Sequence, residues 1–230
     1  MKKLVIIPAY NEEERIVAQF REVRRAAPEY DVIVINDSST DRTAVFCREQ
    51  GIKTLDLGVN LGIGGAMQTG YRYAMTHGYE IAVQVDGDGQ HDPACLNEMC
   101  KTMLEKGADM VIGSRFLKCE GDQSTALRRL GIRYFSGLIK MLTGQRITDP
   151  TSGLRMVNRA LIEEFALDYP QDYPEPESVV RVIKKRYNVT EVPVIMRARH
   201  GGRSSIRLFS AAYYMVKVSI AIILERIRKQ

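Results

Sequence analysis

Val83-Gln84-Val85-Asp86-Gly87-Asp88-Gly89-Gln90-His91-Asp92-Pro93 is the stretch on which the fold turns. Ile81, Val83 and Val85 alternate with Ala82 and Gln84 as in a short buried strand, and the apolar character stops at Asp86. Residues two apart on an extended backbone project the same way, so Asp86 and Asp88 are expected to present two carboxylates to one point. Gly87 and Gly89 permit a sharp turn and the close approach of a ligand. Hard oxygen donors on a partly open loop suit Mg2+ or Mn2+, ions that complete their shell with water and substrate phosphates, so a diphosphate site is expected here. A plain solvated turn is the competing reading of the stretch taken alone, since Asp and Gly are common turn formers. A helix-loop-helix calcium site is excluded, because His91 stands where the invariant Gly belongs and Asn97 where the bidentate Glu belongs.

Upstream, residues 4–7 and 32–35 read as all-apolar strands, residues 53–57 as a third strand, and residues 81–85 make a fourth. Between them lie Pro8-Ala9-Tyr10-Asn11, leading to a helix expected from Glu12, then the loop and cap Asn36 to Asp41, and then Asn60 to Gly65 opening a helix to about Met75. Strands alternating with helices imply an α/β fold of three layers with a largely parallel central sheet, whose ligands bind at the carboxyl ends of the strands. Every polar loop just named follows a strand, so they are expected to meet in one crevice. Met67 replaces the third glycine of a dinucleotide fingerprint and no Gly-Lys-Ser/Thr occurs, which excludes both common nucleotide loops. The glycines at 62, 64 and 65 read either as close helix packing or as a helix N-terminus aimed at phosphate.

With 230 residues, 45% of them hydrophobic, the chain can bury one sizeable core. Its net charge of +5 is uneven: residues 197–230 hold eight basic residues against one acid, which leaves the first 196 at −2. Residues 124–146 add five basic residues, Arg128, Arg129, Arg133, Lys140 and Arg146, and no acid. Blocks of this kind point to anionic lipid or phosphate, and the lack of aromatic-rich basic repeats speaks against nucleic acid. Four cysteines without Cys-x-x-Cys spacing make a structural zinc site unexpected. The opening apolar run breaks at Pro8 and is followed by acids, so it reads as a strand rather than an export signal, and the catalytic part is expected in the cytosol with reduced thiols.

Five segments together resemble a known family: Ile6-Ile7-Pro8-Ala9-Tyr10-Asn11-Glu12-Glu13, Ile35-Asn36-Asp37-Ser38-Ser39-Thr40-Asp41, Asn60-Leu61-Gly62, Asp86-Gly87-Asp88-Gly89-Gln90 and Gly113-Ser114-Arg115. In this order, over about half of the chain, they are similar to family 2 glycosyltransferases of the GT-A fold, in the dolichyl- or undecaprenyl-phosphate sugar transferase branch. The resemblance implies that Pro8, Ala9, Tyr10, Glu12, Asp37, Gly62, Asp86, Gly87 and Asp88 hold a UDP-sugar, Asp37 accepting from the base. It implies a divalent ion, Mg2+ or Mn2+, on Asp88 and Gln90 with Asp86 nearby. Asn36 departs from the family, where many relatives carry a first Asp of a pair.

The resemblance extends into the second half. A strand over residues 109–113 leads to Arg115, a candidate for bidentate contact with a diphosphate. Thr148-Asp149-Pro150-Thr151-Ser152-Gly153-Leu154-Arg155 is similar to the family segment that sets an acid beside the acceptor, which makes Asp149 the first candidate at the reaction centre. Glu177, in the first turn of a helix opened by Tyr173-Pro174, is a second candidate, with a plain helix-dipole role as the alternative. Arg199, Arg203 and Ser204, in the basic loop after a strand over residues 189–196, are similar to the family's Arg-x-x-Gly-x-Ser loop that closes over the diphosphate.

Residues 124–143 read as an amphipathic helix with Arg128, Arg129, Arg133 and Lys140 as acceptor or membrane contacts, opposite Leu127, Leu130, Tyr134, Leu138 and Met141. A last helix from Ile206 has one polar stripe, Arg207, Ser210, Tyr214, Lys217, Glu225 and Arg228. Lys217 near its centre would cost about 2.5–3.5 kcal/mol at mid-bilayer, so the helix is expected to lie in the interface or bind a partner rather than span. The organisation expected is a catalytic domain over 1–205, with a nucleotide-sugar half to 115 and an acceptor half from 116, followed by an amphipathic helix over 206–230. The function implied is an inverting, metal-dependent transfer of glucose or N-acetylglucosamine from a UDP-sugar to polyprenyl (undecaprenyl) phosphate, for cell-envelope glycan at the cytoplasmic face of the membrane. A small integral membrane protein is an expected partner and homo-oligomerisation is left open. Transfer to a saccharide hydroxyl and a non-catalytic nucleotide-sugar-binding adaptor are the rival readings.

Overall fold

The computed structural model describes residues 1–118, 126–195 and 208–227, with the side chains of 126–128 and 208–214 outside the description. The described residues form strands β1 (Lys3–Ala9), β2 (Tyr30–Asn36), β3 (Thr54–Asp56), β4 (Ile81–Gln84), β5 (Met110–Ser114), β6 (Arg155–Asn158) and β7 (Val189–Pro193). The helices are α1 (Ile16–Ala26), α2 (Thr43–Glu49), α3 (Gly62–Thr76), α4 (Leu96–Lys106), α5 (Ala126–Thr143), α6 (Arg159–Leu167), α7 (Pro174–Lys184) and α8 (Leu208–Ile227). The seven strands make one sheet in the order β3-β2-β1-β4-β6-β5-β7. All neighbours are parallel except β6, which runs antiparallel to β4 and β5.

Along the central strands successive apolar side chains serve opposite faces, which is why their sequences are apolar without interruption. Leu4 and Ile6 of β1, with Ile33 and Ile35 of β2, pack towards α3, α5, α6, α7 and α8. Val5 and Ile7, with Val32 and Val34, pack towards α1, α2 and α4. The expected three-layer α/β sandwich with a largely parallel sheet is therefore the observed architecture. Strand order reverses direction between β1 and β4, and a crevice at the carboxyl ends is expected at such a switch point. Pro8 is tolerated in a central strand because pairing of β1 with β4 ends at Ile6, so no ladder bond requires its missing N–H.

The structure departs from the sequence expectations in four places. β4 stops at Gln84, so Asp86 and Asp88 sit on a turn rather than on extended backbone. α1 starts at Ile16 instead of Glu12, because the 11–13 backbone is tied to the β2–α2 loop: Asn11 N–H donates to Ser39 Oγ (3.0 Å), Glu12 N–H to Thr43 Oγ1 (2.9 Å) and Glu13 N–H to Asp41 Oδ2 (3.1 Å). On α5 the core face is Ile132, Phe135 and Ile139, while Leu130, Tyr134 and Met141 are exposed. On α8, Glu225 belongs to the buried face with Val218 and Ile222 and not to a solvated stripe, because Arg181 of α7 binds it through Nε (2.8 Å) and Nη2 (3.1 Å). No helix among the described residues is long and apolar enough to cross a membrane.

Candidate active site

The loops after β1, β2 and β4 converge as their sequences require. Gly87 abuts the end of β1, where a Cβ would stand 3.3 Å from Pro8 O and 3.6 Å from Glu12 Cγ. Asp37, buried at the end of β2, accepts from Leu61 N–H at 2.7 Å, and Asn60 Nδ2 donates to the Asp37 carbonyl at 3.2 Å, so the β3–α3 loop is fastened to this carboxylate. Tyr10 and Leu61 are both about half exposed beside it (49% and 48%), apolar walls flanking a carboxylate. The glycines after Leu61 divide their roles. A Cβ on Gly64 would strike the Gln171 backbone at 2.4 Å, which makes it a packing residue, whereas Gly62 has a φ of +73° and open space around it.

In the β4 loop, Gln84 Nε2 donates to Asp86 Oδ1 at 3.0 Å, and Asp86 N–H donates to His91 Nδ1 at 3.1 Å. That bond requires Nδ1 to be the acceptor, which leaves the His91 proton on Nε2, the nitrogen 3.7 Å from Asp86 Oδ2. Buried His91 thus orients Asp86 in the way that a second group orients a metal ligand. Asp88 Oδ1 accepts from Gln90 N–H at 3.0 Å. Two carboxylates and one amide on a single turn form a hard oxygen donor set. Among the described residues no group of three or more His, Cys, Asp or Glu gathers into a complete metal cage. The donor set therefore fits Mg2+ or Mn2+ with a substrate diphosphate filling the shell, and not a self-sufficient metal site.

Across the crevice, the segment between α5 and β6 closes the wall. Gly153 lies flat on Asp86: a Cβ there would come within 2.8 Å of Oδ2 and 3.1 Å of Gln84 Nε2. Arg155 is 1% exposed and holds this segment from beneath, donating to the carbonyls of Ser152 (2.8 Å), Pro150 (2.7 Å) and Glu175, and to Ser178 Oγ (2.7 Å). Glu175, at the start of α7, has its carboxyl pushed above the ordinary range by burial, opposed by Arg155 and reinforced by Asp86. Gly153, Arg155, Glu175 and His91 were not singled out for these roles by sequence. An Arg at the head of the short run Met156-Val157 was the available signal, since a buried Arg requires many acceptors.

Asp149 and Arg115 are brought to each other. Arg115 Nε and Nη2 donate to the two Asp149 oxygens at 2.7 Å each, and Arg115 N–H adds a third bond at 3.1 Å. Asp149 is 0% exposed and Arg115 nearly so. The pair is bracketed by Thr151 Oγ1, 3.0 Å from Arg115 Nη2, and by Glu191 of β7, which accepts from the Thr148 and Asp149 N–H groups. Both Asp149 oxygens are thus engaged by Arg115, a buried pairing that the sequence did not foretell.

Glu177 also lies apart from the β4 loop. With Asp172, Tyr173, Lys217, Ile220 and Glu225 it lines a groove of about 740 Å³ between the start of α7 and α8. Burial, with Glu225 adding to it, lifts its carboxyl to about 7. The folded chain therefore keeps a proton between pH 4.5 and 7 that the unfolded chain releases, and this residue disfavours folding as pH rises through that window. Glu177→Gln is expected to raise Tm at pH 8 by about 2–4 °C, the scale of 1 kcal/mol in a chain of this size, and to give no gain at pH 4. Calorimetry at the two pH values checks it.

The basic helix residues are gathered instead near β5. Arg129, Arg133, Lys140 and Arg146, with Ser136, Thr148 and Phe116, line a hollow of about 540 Å³ whose described wall contains no acid. It opens beside the end of β5, since Thr148 Oγ1 is 2.7 Å from Ser114 Oγ. Arg128 has its backbone in α5 and its side chain outside the description; Arg199, Arg203 and Ser204 lie outside the described residues.

A family model, Glycosyl transferase family 2, matches residues 4–165. The chain is 28% identical to a polyprenol monophosphomannose synthase of Mycolicibacterium smegmatis, over 95% of this chain and 86% of that protein. It is 27% identical to a UDP-N-acetylglucosamine–dolichyl-phosphate N-acetylglucosaminyltransferase of Methanococcus voltae, over 83% of each. Among solved structures, glucosyl-3-phosphoglycerate synthase of Mycobacterium tuberculosis, crystallised with Mn2+, UDP-glucose and phosphoglyceric acid, superposes with a TM-score of 0.76 at 16% identity, over all of this chain and 81% of that one. That likeness is one of fold.

Proposed function

The chain belongs to glycosyl transferase family 2, and is therefore a glycosyltransferase; we propose that it moves glucose or N-acetylglucosamine from a UDP-sugar to a polyprenyl phosphate, with inversion. The observation that carries the acceptor is the contrast between Asp149, sealed against Arg115, and the acid-free basic hollow beside it. A hydroxyl acceptor needs a carboxylate to take its proton. A lipid phosphate does not, because its second pKa is about 6, by analogy with phosphoresidues, and it is ionised at pH 7. What such an acceptor needs is cations beside an apolar surface. Arg129, Arg133, Lys140 and Arg146 supply the first, and the exposed Leu130, Tyr134 and Met141 of α5 with Val216, Ile220, Leu224 and Ile227 of α8 supply the second. The two relatives named above share a polyprenyl-class lipid in their names and differ in the sugar.

For the donor, one Asp37 oxygen is engaged by Leu61 N–H and the other has no bond among the described residues. A single open oxygen suits the lone N3–H of uracil better than the paired N1–H and N2–H of guanine, which favours UDP over GDP. Tyr10 and Leu61 would enclose the ring. Asp86, Asp88 and Gln90 would hold Mg2+ or Mn2+, which supplies Lewis-acid stabilisation of a departing diphosphate. His91, Gln84 and Gly153 keep Asp86 oriented for that task. Arg199, Arg203 and Ser204 are retained as the diphosphate-closing loop, and Arg115 becomes the cation that fixes the 148–151 wall. The protein would work at the cytoplasmic face as a peripheral enzyme, through the α5–α8 surface, with a small membrane protein as a candidate partner on α8.

Replacing Arg133, Lys140 and Arg146 together by Ala is expected to raise KM for undecaprenyl phosphate about 100-fold, at about 1 kcal/mol per cation. Steady-state kinetics read this, with KM for the nucleotide sugar as internal reference. An unaltered lipid KM would remove the hollow from the acceptor path.

A further inference from the structure

Gln19, on the inner face of α1, is a glutamine where the helix otherwise presents Ile16 and Val23 to the core. It is 2% exposed, and among the described residues neither its amide nitrogen nor its amide oxygen has a hydrogen-bond partner. Buried amides of this kind are rare because each orphaned atom forfeits its hydration without compensation. One physical reason for such a group to persist is that another state of the protein uses it.

Its position identifies that state. A Cβ placed on Gly89 would stand 3.8 Å from Gln19 Oε1, so the carboxamide lies directly under the Asp86–Gln90 turn. Gly89 has a φ of +76°, which only glycine adopts without strain, and this conformation presents bare backbone to the glutamine. In the same turn, Asp88 Oδ1 accepts from Gln90 N–H at 3.0 Å. A carboxylate holding that N–H has one oxygen committed to its own loop. When Asp88 turns to a cation, the N–H loses its acceptor, and an N–H left unpaired in a part-buried turn is costly.

We propose that Gln19 is a positioning residue for the ion-loaded turn: its buried carboxamide takes up the Gly89–Gln90 backbone as Asp88 turns to the divalent cation. The carboxamide serves this purpose in both senses, its oxygen accepting the released N–H and its NH2 donating to a loop carbonyl. No side chain that touches the ion is added. Gln19 acts through the backbone, making the loaded turn more stable relative to the unloaded one. This inference rests on the reading that Asp86, Asp88 and Gln90 hold the ion.

The test uses the full chain with Gln19→Met and, as a second apolar replacement, Gln19→Leu. Two quantities are measured: Tm in the presence of EDTA, and Mn2+ affinity by electron paramagnetic resonance with UDP present. Removing an amide that is unpaired without the ion leaves Tm in EDTA unchanged or higher, whereas losing the loop contact weakens Mn2+ binding about 10-fold. These opposite directions distinguish positioning from packing. A drop of several degrees in EDTA with either replacement, or Mn2+ affinity equal to that of the parent, overturns the inference while leaving the ion reading intact. Failure of the parent itself to bind Mn2+ in the presence of UDP overturns the ion reading, and the inference with it.

Discussion

Asp88→Asn is expected to lower the rate of sugar transfer by about 10³-fold while Tm in EDTA stays within about 2 °C of the parent. The kinetic part follows from what the side chain is placed to do. Asp88 stands on the turn after β4, where its Oδ1 accepts from Gln90 N–H at 3.0 Å. An amide keeps an oxygen for that N–H, so the turn survives, but it removes the negative charge that holds a divalent ion against a diphosphate. Loss of one preorganised group that stabilises developing charge costs 10²–10³ in rate, and loss of the ion costs more. Asp86→Asn should be less clean, since Gln84 Nε2 and the His91 ring face that carboxylate and would meet an amide instead. Circular dichroism with turnover under saturating Mn2+ checks the prediction; full activity in Asp88→Asn would remove the metal from the account.

The second large effect falls on stability. Asp149→Ala leaves the Arg115 guanidinium buried without its carboxylate, the situation in which breaking an ion pair costs about 3–5 kcal/mol. For a chain of this size that is a fall in Tm of about 10 °C, with the exact figure set by how far Thr151 and water relieve the charge. Arg115→Leu with Asp149→Leu removes both charges together, and should recover most of the loss, because the pair's own desolvation cost disappears with it. If the double replacement is no more stable than Asp149→Ala, the pair is not what holds the 148–151 wall. Asp149→Asn distinguishes the acceptors: it keeps one acceptor oxygen for Arg115, so transfer to a lipid phosphate persists below the melting range, whereas a reaction needing Asp149 as a base would stop.

Much of the fold was legible because the central strands are buried on both faces. Leu4 to Ile7 and Val32 to Ile35 are uninterrupted apolar runs for that reason, and each is followed by the polar loop that reaches the crevice. β6 escaped detection because Arg155 opens it and its antiparallel direction is set by partners far away in sequence, Gln84 and Ile112. Its burial is affordable only with the carbonyls of Pro150, Ser152 and Glu175 arranged around it, a condition that no local pattern reveals. The loop residues on β1, β2 and β4 were found at the right strand ends. The acidic residues of the second half were harder. Asp149 has the composition of a reactive carboxylate, but its environment depends on Arg115, 34 positions away. Glu175 and Glu177 are two apart on one helix, so they face different directions, and only the packing of α7 on Arg155 and on Glu225 decides which meets Asp86. Gln19 shows the same limit in reverse: a polar residue in an apolar stripe is visible in sequence, but its burial under Gly89 is not.

Mass spectrometry of the lipid fraction, after incubating the protein with undecaprenyl phosphate, Mn2+ and separate UDP-glucose, UDP-N-acetylglucosamine and GDP-mannose, tests donor and acceptor together. Undecaprenyl phosphate is expected to gain one hexose or one N-acetylhexosamine from a UDP-sugar, and none from GDP-mannose. Hydrolysis of the UDP-sugar with the lipid unmodified, while a saccharide hydroxyl acceptor takes up the sugar, would contradict it.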